Sequence, residues 1–137
     1  MNPPSPWLGV IGQVSRQVRS IPHAVEWFRD VLGLPHLFTF GDLAFFDLGG
    51  TRLFLNRVDG DKELHDSIIY FRVDDIHHVY EQLRARRVVF RAAPHVIHTH
   101  DNGVQEWMAF FEDLDGQMLA LMSQTRAHAS GQSGASA

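Results

Sequence analysis

Apolar and polar residues alternate along Leu8–Arg19, the two-residue period of a half-buried strand. From His23 the period changes. Ala24, Val25, Phe28, Val31 and Leu32 fall on one face of a helix over His23–Leu32. Ser20 and Pro22 stand where an N-cap and an early helical proline belong, and Gly33 stops the helix. Strand periodicity returns in Pro35–Phe40, Asp42–Leu48 and Thr51–Arg57, with Gly49-Gly50 supplying a tight hairpin turn. These elements make a β-α-β-β-β unit over 8–58.

The same order returns over 67–124. Gln13–Ile21 is echoed by Ile68–Ile76 at an offset of 55 that persists through the helix, where Glu26 matches Glu81 and Arg29 matches Arg84. Ala44–Leu55 is echoed by Ala109–Leu121 at 65 or 66, so about ten residues have entered the second unit, among them His95–Gly103. The duplication predicts an α+β fold: two tandem βαβββ modules forming a curved, bowl-like mixed sheet, with helices on the outer face.

A chain of 137 residues, 45% of them hydrophobic, suffices for one such domain over 8–125. Residues 1–7, rich in proline, are expected to be a flexible arm, and the Ser/Gly/Ala-rich 126–137 a disordered tail. No apolar run approaches the ~18 residues of a membrane span, and no charged start leads into an apolar signal segment, so a cytoplasmic location without membrane partners is expected. The absence of cysteine excludes disulfides, thiolate metal sites and a cysteine nucleophile. A net charge of −4 with both signs interspersed argues against a nucleic-acid partner. A small organic molecule or a second copy of the chain is the expected partner.

Three segments carry a family resemblance: Arg-Asp-Val-Leu-Gly-Leu-Pro at 29–35, Phe-Arg-Val-Asp-Asp-Ile at 71–76, and Phe-Glu-Asp-Leu-Asp-Gly-Gln at 111–117. Together with the duplication they resemble the vicinal oxygen chelate superfamily, which includes glyoxalase I, extradiol dioxygenases, methylmalonyl-CoA epimerase and the fosfomycin and bleomycin resistance proteins. The likeness spans Leu8–Ser123. It implies a divalent metal held by residues of the first and last strand of each module, and those places here are Gln13, Phe54, Ile68 and Ala120. Only Gln13 carries a donor. One neutral amide without a carboxylate gives a divalent cation no charge compensation, so neither metal nor other cofactor is expected.

The period-two rule then names the pocket lining. Gln13, Ser15 and Gln17 on the first strand share a face with Phe54 and Asn56, as do Ile68, Tyr70 and Arg72 with Met118, Ala120 and Met122. Val14, Val18, Ile69, Phe71 and Val73 fall on the helix-covered side. Arg72 suits an anionic group or the rim; Trp107 suits either the core or a ligand-stacking wall. Asp74-Asp75 and His77-His78 begin the second helix, where acidic residues cap and complement the dipole. His95 after Pro94 echoes His36 after Pro35.

The added hairpin holds the remaining chemistry. A two-residue turn at Asn102-Gly103 would place His100 opposite Gln105 and His98 opposite Trp107, with Glu106 on the other face. A slip of one residue would bring Glu106 round to the histidines. Three readings of His98 and His100 stand together: exposed polar residues, a general acid and base, or ligands of a relocated metal. The expected protein is therefore glyoxalase- or bleomycin-resistance-like, binding a small organic molecule without the family metal. The alternative is a lyase, isomerase or epimerase using His98 and His100. Sheet edges and apolar faces left to cover make a homodimer the expected assembly.

Overall fold

The computed structural model describes residue 3 and residues 5–126. The expected tail therefore lies outside the described residues except for Arg126, which ends the last strand; of the expected arm, Met1, Asn2 and Pro4 also lie outside. The chain divides into two compact units between Asp66 and Ser67.

The first unit runs β1 (Gln13–Val18), α1 (Ile21–Glu26), β2 (His36–Phe40), β3 (Leu43–Asp47) and β4 (Arg52–Arg57). Its sheet has the order β1-β4-β3-β2, with β1 parallel to β4 and the other pairs antiparallel. The second unit runs β5 (Ile69–Arg72), α2 (Ile76–Ala85), β6 (His95–Thr99), β7 (Val104–Glu112) and β8 (Met118–Arg126), in the order β5-β8-β7-β6 with β5 parallel to β8. The architecture is thus the α+β pair of βαβββ modules read from the repeat, each a four-stranded mixed sheet and neither a closed barrel.

β1 is shorter than the alternation of Leu8–Arg19 suggests. A strand needs a partner, and β4 begins only at Arg52, opposite Gln13. Upstream of that point Trp7, Leu8, Val10 and Ile11 are exposed, Val10 by 91%. The helix after β1 starts earlier than expected, at Ile21, because the Ser20 hydroxyl accepts the His23 N–H at 3.3 Å and Pro22 fits the first turn. It then widens to a π-helical turn over Trp27–Val31, with the Leu32 N–H donating to Trp27 O at 3.2 Å. Gly33, at φ +74°, follows its end. In α2 the capping falls to Asp75, whose carboxylate accepts the His78 N–H at 3.1 Å.

One face of each sheet carries the core. In the first unit Phe28 of the helical segment meets Phe46 of β3, both fully buried, beside Leu53 and Leu55 of β4. Arg16 is also fully buried on this side, in the place that Phe71 holds in the second unit. In the second unit α2 packs Ile76 and Leu83 toward a sheet face carrying Ala109, Phe111, Leu119 and Leu121. Among the described residues no helix is long and apolar enough to cross a membrane.

The registers locate the added segment. Ser15 lies opposite Phe54 and Tyr70 opposite Ala120, so an offset of 55 on the first strands has become 66 on the last. The bridge Phe90–Phe111 takes the place of the pair His36–Phe46. Beyond it, the first half of β7 and the end of β8 run on past the ends of β3 and β4, and β6, which takes the place of β2 in the strand order, pairs with that extension as a three-stranded tongue.

Candidate functional site

On the open face of the first unit, strand alternation lines up Phe38, Phe45 and Phe54 from three adjacent strands. Their rings stack at centroid separations of 4.5 and 5.2 Å, and the Arg52 guanidinium sits 5.4 Å above Phe45. Gln13 and Ser15 are exposed at the edge of this face. Two expected lining residues are engaged in structure. The Gln17 backbone N–H donates to Asp66 Oδ2 at 2.6 Å and its side-chain oxygen accepts the His65 N–H at 3.0 Å, holding the segment that leaves the unit. Asn56 Nδ2 donates to Arg16 O at 3.4 Å.

On the open face of the second unit, Ala120 is flanked by Tyr70 of β5 and Phe110 of β7. Those two rings meet edge to face at 5.9 Å although a strand lies between them, and Ala120 is fully buried. The small side chain leaves space that the aromatic pair closes over. Ile68, just before β5, and Met118, at the start of β8, are half-buried. At the other end of the parallel pair β5 and β8, Arg72, Val73, Asp74, Met122, Ser123 and Gln124 line a cleft of about 210 Å³. The Val73 N–H donates to Met122 O at 2.9 Å, and the Ser123 hydroxyl donates to the Asp74 carbonyl at 3.4 Å, so the two sides of the cleft are tied by one backbone bond and one side-chain bond. Asp74, expected to cap α2 with Asp75, lines the cleft instead; the N-cap side-chain bond is made by Asp75.

The hairpin differs from its sequence reading in turn and register. Asp101, Asn102 and Gly103 form a three-residue loop, closed by the His100 N–H to Val104 O at 2.8 Å, with Gly103 at φ +90°. One more residue in the loop slips the pairing, so His98 lies opposite Glu106 rather than Trp107, and Thr99 rather than His100 lies opposite Gln105. A bulge between Val96 and His98 shifts it again and puts His95 opposite Met108. His95, His98, His100 and Glu106 consequently share the open face with Met108 and Met122.

Trp107 falls on the other face. Its ring meets His77 of α2 at 4.9 Å and its indole N–H donates to Thr125 Oγ1 at 2.9 Å, so it belongs to the helix side and not to the open face. Glu106 replaces it there. His100 Nε2 lies 2.7 Å from Glu106 Oε2, Gln124 Nε2 donates to the same oxygen at 2.7 Å, and the rings of His98 and His100 meet edge to face at 4.5 Å. The hydrogen bonds from His100 and then Gln124, aided by the nearby imidazoles, hold the Glu106 carboxyl below its usual range against a smaller effect of burial. Gln124 also lines the cleft, which joins the histidine cluster to it.

A carboxylate only accepts, so the neutral His100 ring carries its proton on Nε2 and presents the Nδ1 lone pair. That arrangement can take up or deliver a proton at Nδ1. Of Gln13, Phe54, Ile68 and Ala120 only Gln13 carries a side-chain donor atom, and Ala120 lies beside the Tyr70 and Phe110 rings. Among the described residues no group of three or more His, Asp or Glu converges to hold a metal. Glu106 enters the sequence reading only through the one-residue slip, which the structure shows, and Gln124 and Asp74 are not read there as site residues; a glycine third in Asp-Asn-Gly is the signal for the longer loop and the changed face.

Comparison with known proteins follows this geometry. The model of the Glyoxalase/Bleomycin resistance protein/Dioxygenase superfamily matches residues 10–121. Similar solved structures include a member of that superfamily from Sphaerobacter thermophilus, with TM-score 0.69, 17% identity, and coverage of 85% of this chain and 98% of that one. Lactoylglutathione lyase from Agrobacterium tumefaciens is similar with TM-score 0.64, 20% identity, and coverage of 89% and 96%. A virulence protein from Salmonella typhimurium gives 0.65, 14%, and 85% and 97%. At these identities the likenesses establish the fold. No curated protein matches the sequence.

Proposed function

The chain belongs to the Glyoxalase/Bleomycin resistance protein/Dioxygenase superfamily, and from that premise we propose that it binds a small organic molecule, without the divalent metal its fold family uses. The observation that carries this reading is the cleft of about 210 Å³ in which Arg72, Asp74, Ser123 and Gln124 converge beside the Val73 and Met122 side chains. Aromatic rings stand where metal donors would be needed: Phe54 in a stack, and Tyr70 with Phe110 over Ala120. Native mass spectrometry of untagged protein is expected to show an organic adduct and no stoichiometric Ni, Zn, Mn or Fe. A metal bound one to one would overturn the metal-free reading.

The His100–Glu106 contact favours a second reading, an enzyme of lyase, isomerase or epimerase type in which His100 moves a proton at Nδ1 and Glu106 fixes its tautomer. His98, against the His100 ring, would share the ligand contact. Alanine at His100 should then abolish a turnover that alanine at an exposed distant histidine such as His65 leaves intact. Exposed Phe38, Phe40, Tyr70 and Ile97, together with unpaired sheet edges, support a homodimer, which sedimentation equilibrium would test. A cytoplasmic location completes the proposal.

A further inference from the structure

We infer that the cleft between the end of β5 and the middle of β8 binds a zwitterion of the α-amino acid class, with the ligand carboxylate on Arg72 and its ammonium group on Asp74. This rests on the small-molecule reading above and adds the ligand class. Two opposite charges line one cleft, yet among the described residues neither the Arg72 guanidinium nor the Asp74 carboxylate has an ion-pair or hydrogen-bond partner, each other included. The Val73 N–H bond to Met122 O and the Ser123 hydroxyl bond to Asp74 O fix the segment that carries both charges against β8.

The charges restrict the ligand. A simple organic anion would satisfy Arg72 and meet Asp74 as a repulsive neighbour; a simple amine would reverse the problem; a neutral molecule would leave both charges unpaired. A ligand carrying both signs a few bonds apart satisfies both. The remaining carboxylates nearby are engaged, Asp75 with the helix N-terminus and Glu106 with His100 and Gln124. Gln124 spends its amide N–H on Glu106, which leaves the amide oxygen as a second acceptor for an ammonium group. The cleft, at about 210 Å³, lies below the ~300–1,000 Å³ of drug-sized pockets. Met122 offers an adaptable wall for an aliphatic side chain.

The test uses the full chain and three probes that share a branched alkyl group, L-leucine, 4-methylpentanoate and 3-methylbutylamine, titrated at neutral pH by calorimetry with chemical-shift mapping of the cleft. L-leucine should bind at least tenfold more tightly than either single-charge probe. Asp74→Asn should remove its advantage over 4-methylpentanoate, and Arg72→Gln its advantage over 3-methylbutylamine, with melting temperatures near that of the parent protein. Equal binding of the single-charge probes, no binding of any probe, or an unchanged ratio in Asp74→Asn would overturn the inference. In those cases an organic adduct that persists in both variants leaves the parent binding reading standing, whereas the absence of any adduct removes both.

Discussion

His100 and Glu106 meet at 2.7 Å across a hairpin whose three-residue loop, rather than its strands, decides that they share a face. The contact is also a proton assignment, since the carboxylate can only accept.

Glu106→Gln removes that assignment while keeping shape. In ¹⁵N spectra the parent His100 should report the Nε2–H tautomer, and the variant a mixture of both. Should the histidine be catalytic, His100→Ala is expected to lower turnover by about 10²-fold or more, the ordinary yield of a positioned acid or base, with Glu106→Gln falling between the two. An unchanged ¹⁵N pattern in Glu106→Gln would deny the coupling.

Acidification tests the same contact by linkage. Glu106 is held below its usual carboxylate range in the folded chain by His100 first and Gln124 second, with His98 adding attraction. Its stabilising contribution is therefore complete above the unfolded carboxylate pKa and is lost as pH falls through the lower folded value. A ¹³C titration of the Glu106 carboxyl should show a midpoint below the ~4.3 of an unperturbed glutamate. Amide protection of the hairpin should decline over the same interval and lose that step in Glu106→Gln.

Gly103→Ala probes the loop. At φ +90° a Cβ is strained, and the substitution is expected to weaken the hairpin by about 1 kcal/mol. Faster hydrogen exchange at His100, whose N–H bonds Val104 O, is the direct readout, with exchange in the first unit unaffected.

Phe46 and Phe45 are neighbours on β3 with opposite roles. Phe46→Ala empties a fully buried position against Phe28 and should cost about 3–5 kcal/mol. Phe45→Ala removes a half-buried ring from the Phe38–Phe54 stack and should cost less, about 1–2 kcal/mol. Chemical denaturation distinguishes the two, the Phe46→Ala midpoint falling further below that of the parent protein than the Phe45→Ala midpoint.

Most of the architecture is legible in the chain because repetition and periodicity are local to a few residues. The matched echoes of Gln13–Ile21 and Ile68–Ile76, the glycines at 33, 49 and 50, and the alternation in β3 and β4 all correspond to observed elements. Register is a different kind of quantity. His98 and Glu106 come together because the loop has three residues, and the bulge beyond His98 then brings His95 opposite Met108. Trp107 moved to the helix side for the same reason. Strand ends are likewise set by partners: Leu8–Ile11 belongs to the alternation read as a strand, yet among the described residues no strand ladder pairs with it. Asp74 and Asp75 are indistinguishable by composition, and only the backbone turn into α2 decides which one caps.

The pairing of first strand with last in each module carries a consequence for synthesis. β1 gains its ladder partner only when β4 has been made, and β5 waits similarly for β8 across a longer stretch that includes the added tongue. Such distant closures are slow steps, during which an unpaired edge and its apolar face are exposed. A chain emerging from the ribosome can complete the first sheet before any residue of β6 exists. The added histidine-bearing segment thus lengthens the most delayed closure of the molecule and leaves that of the first module untouched.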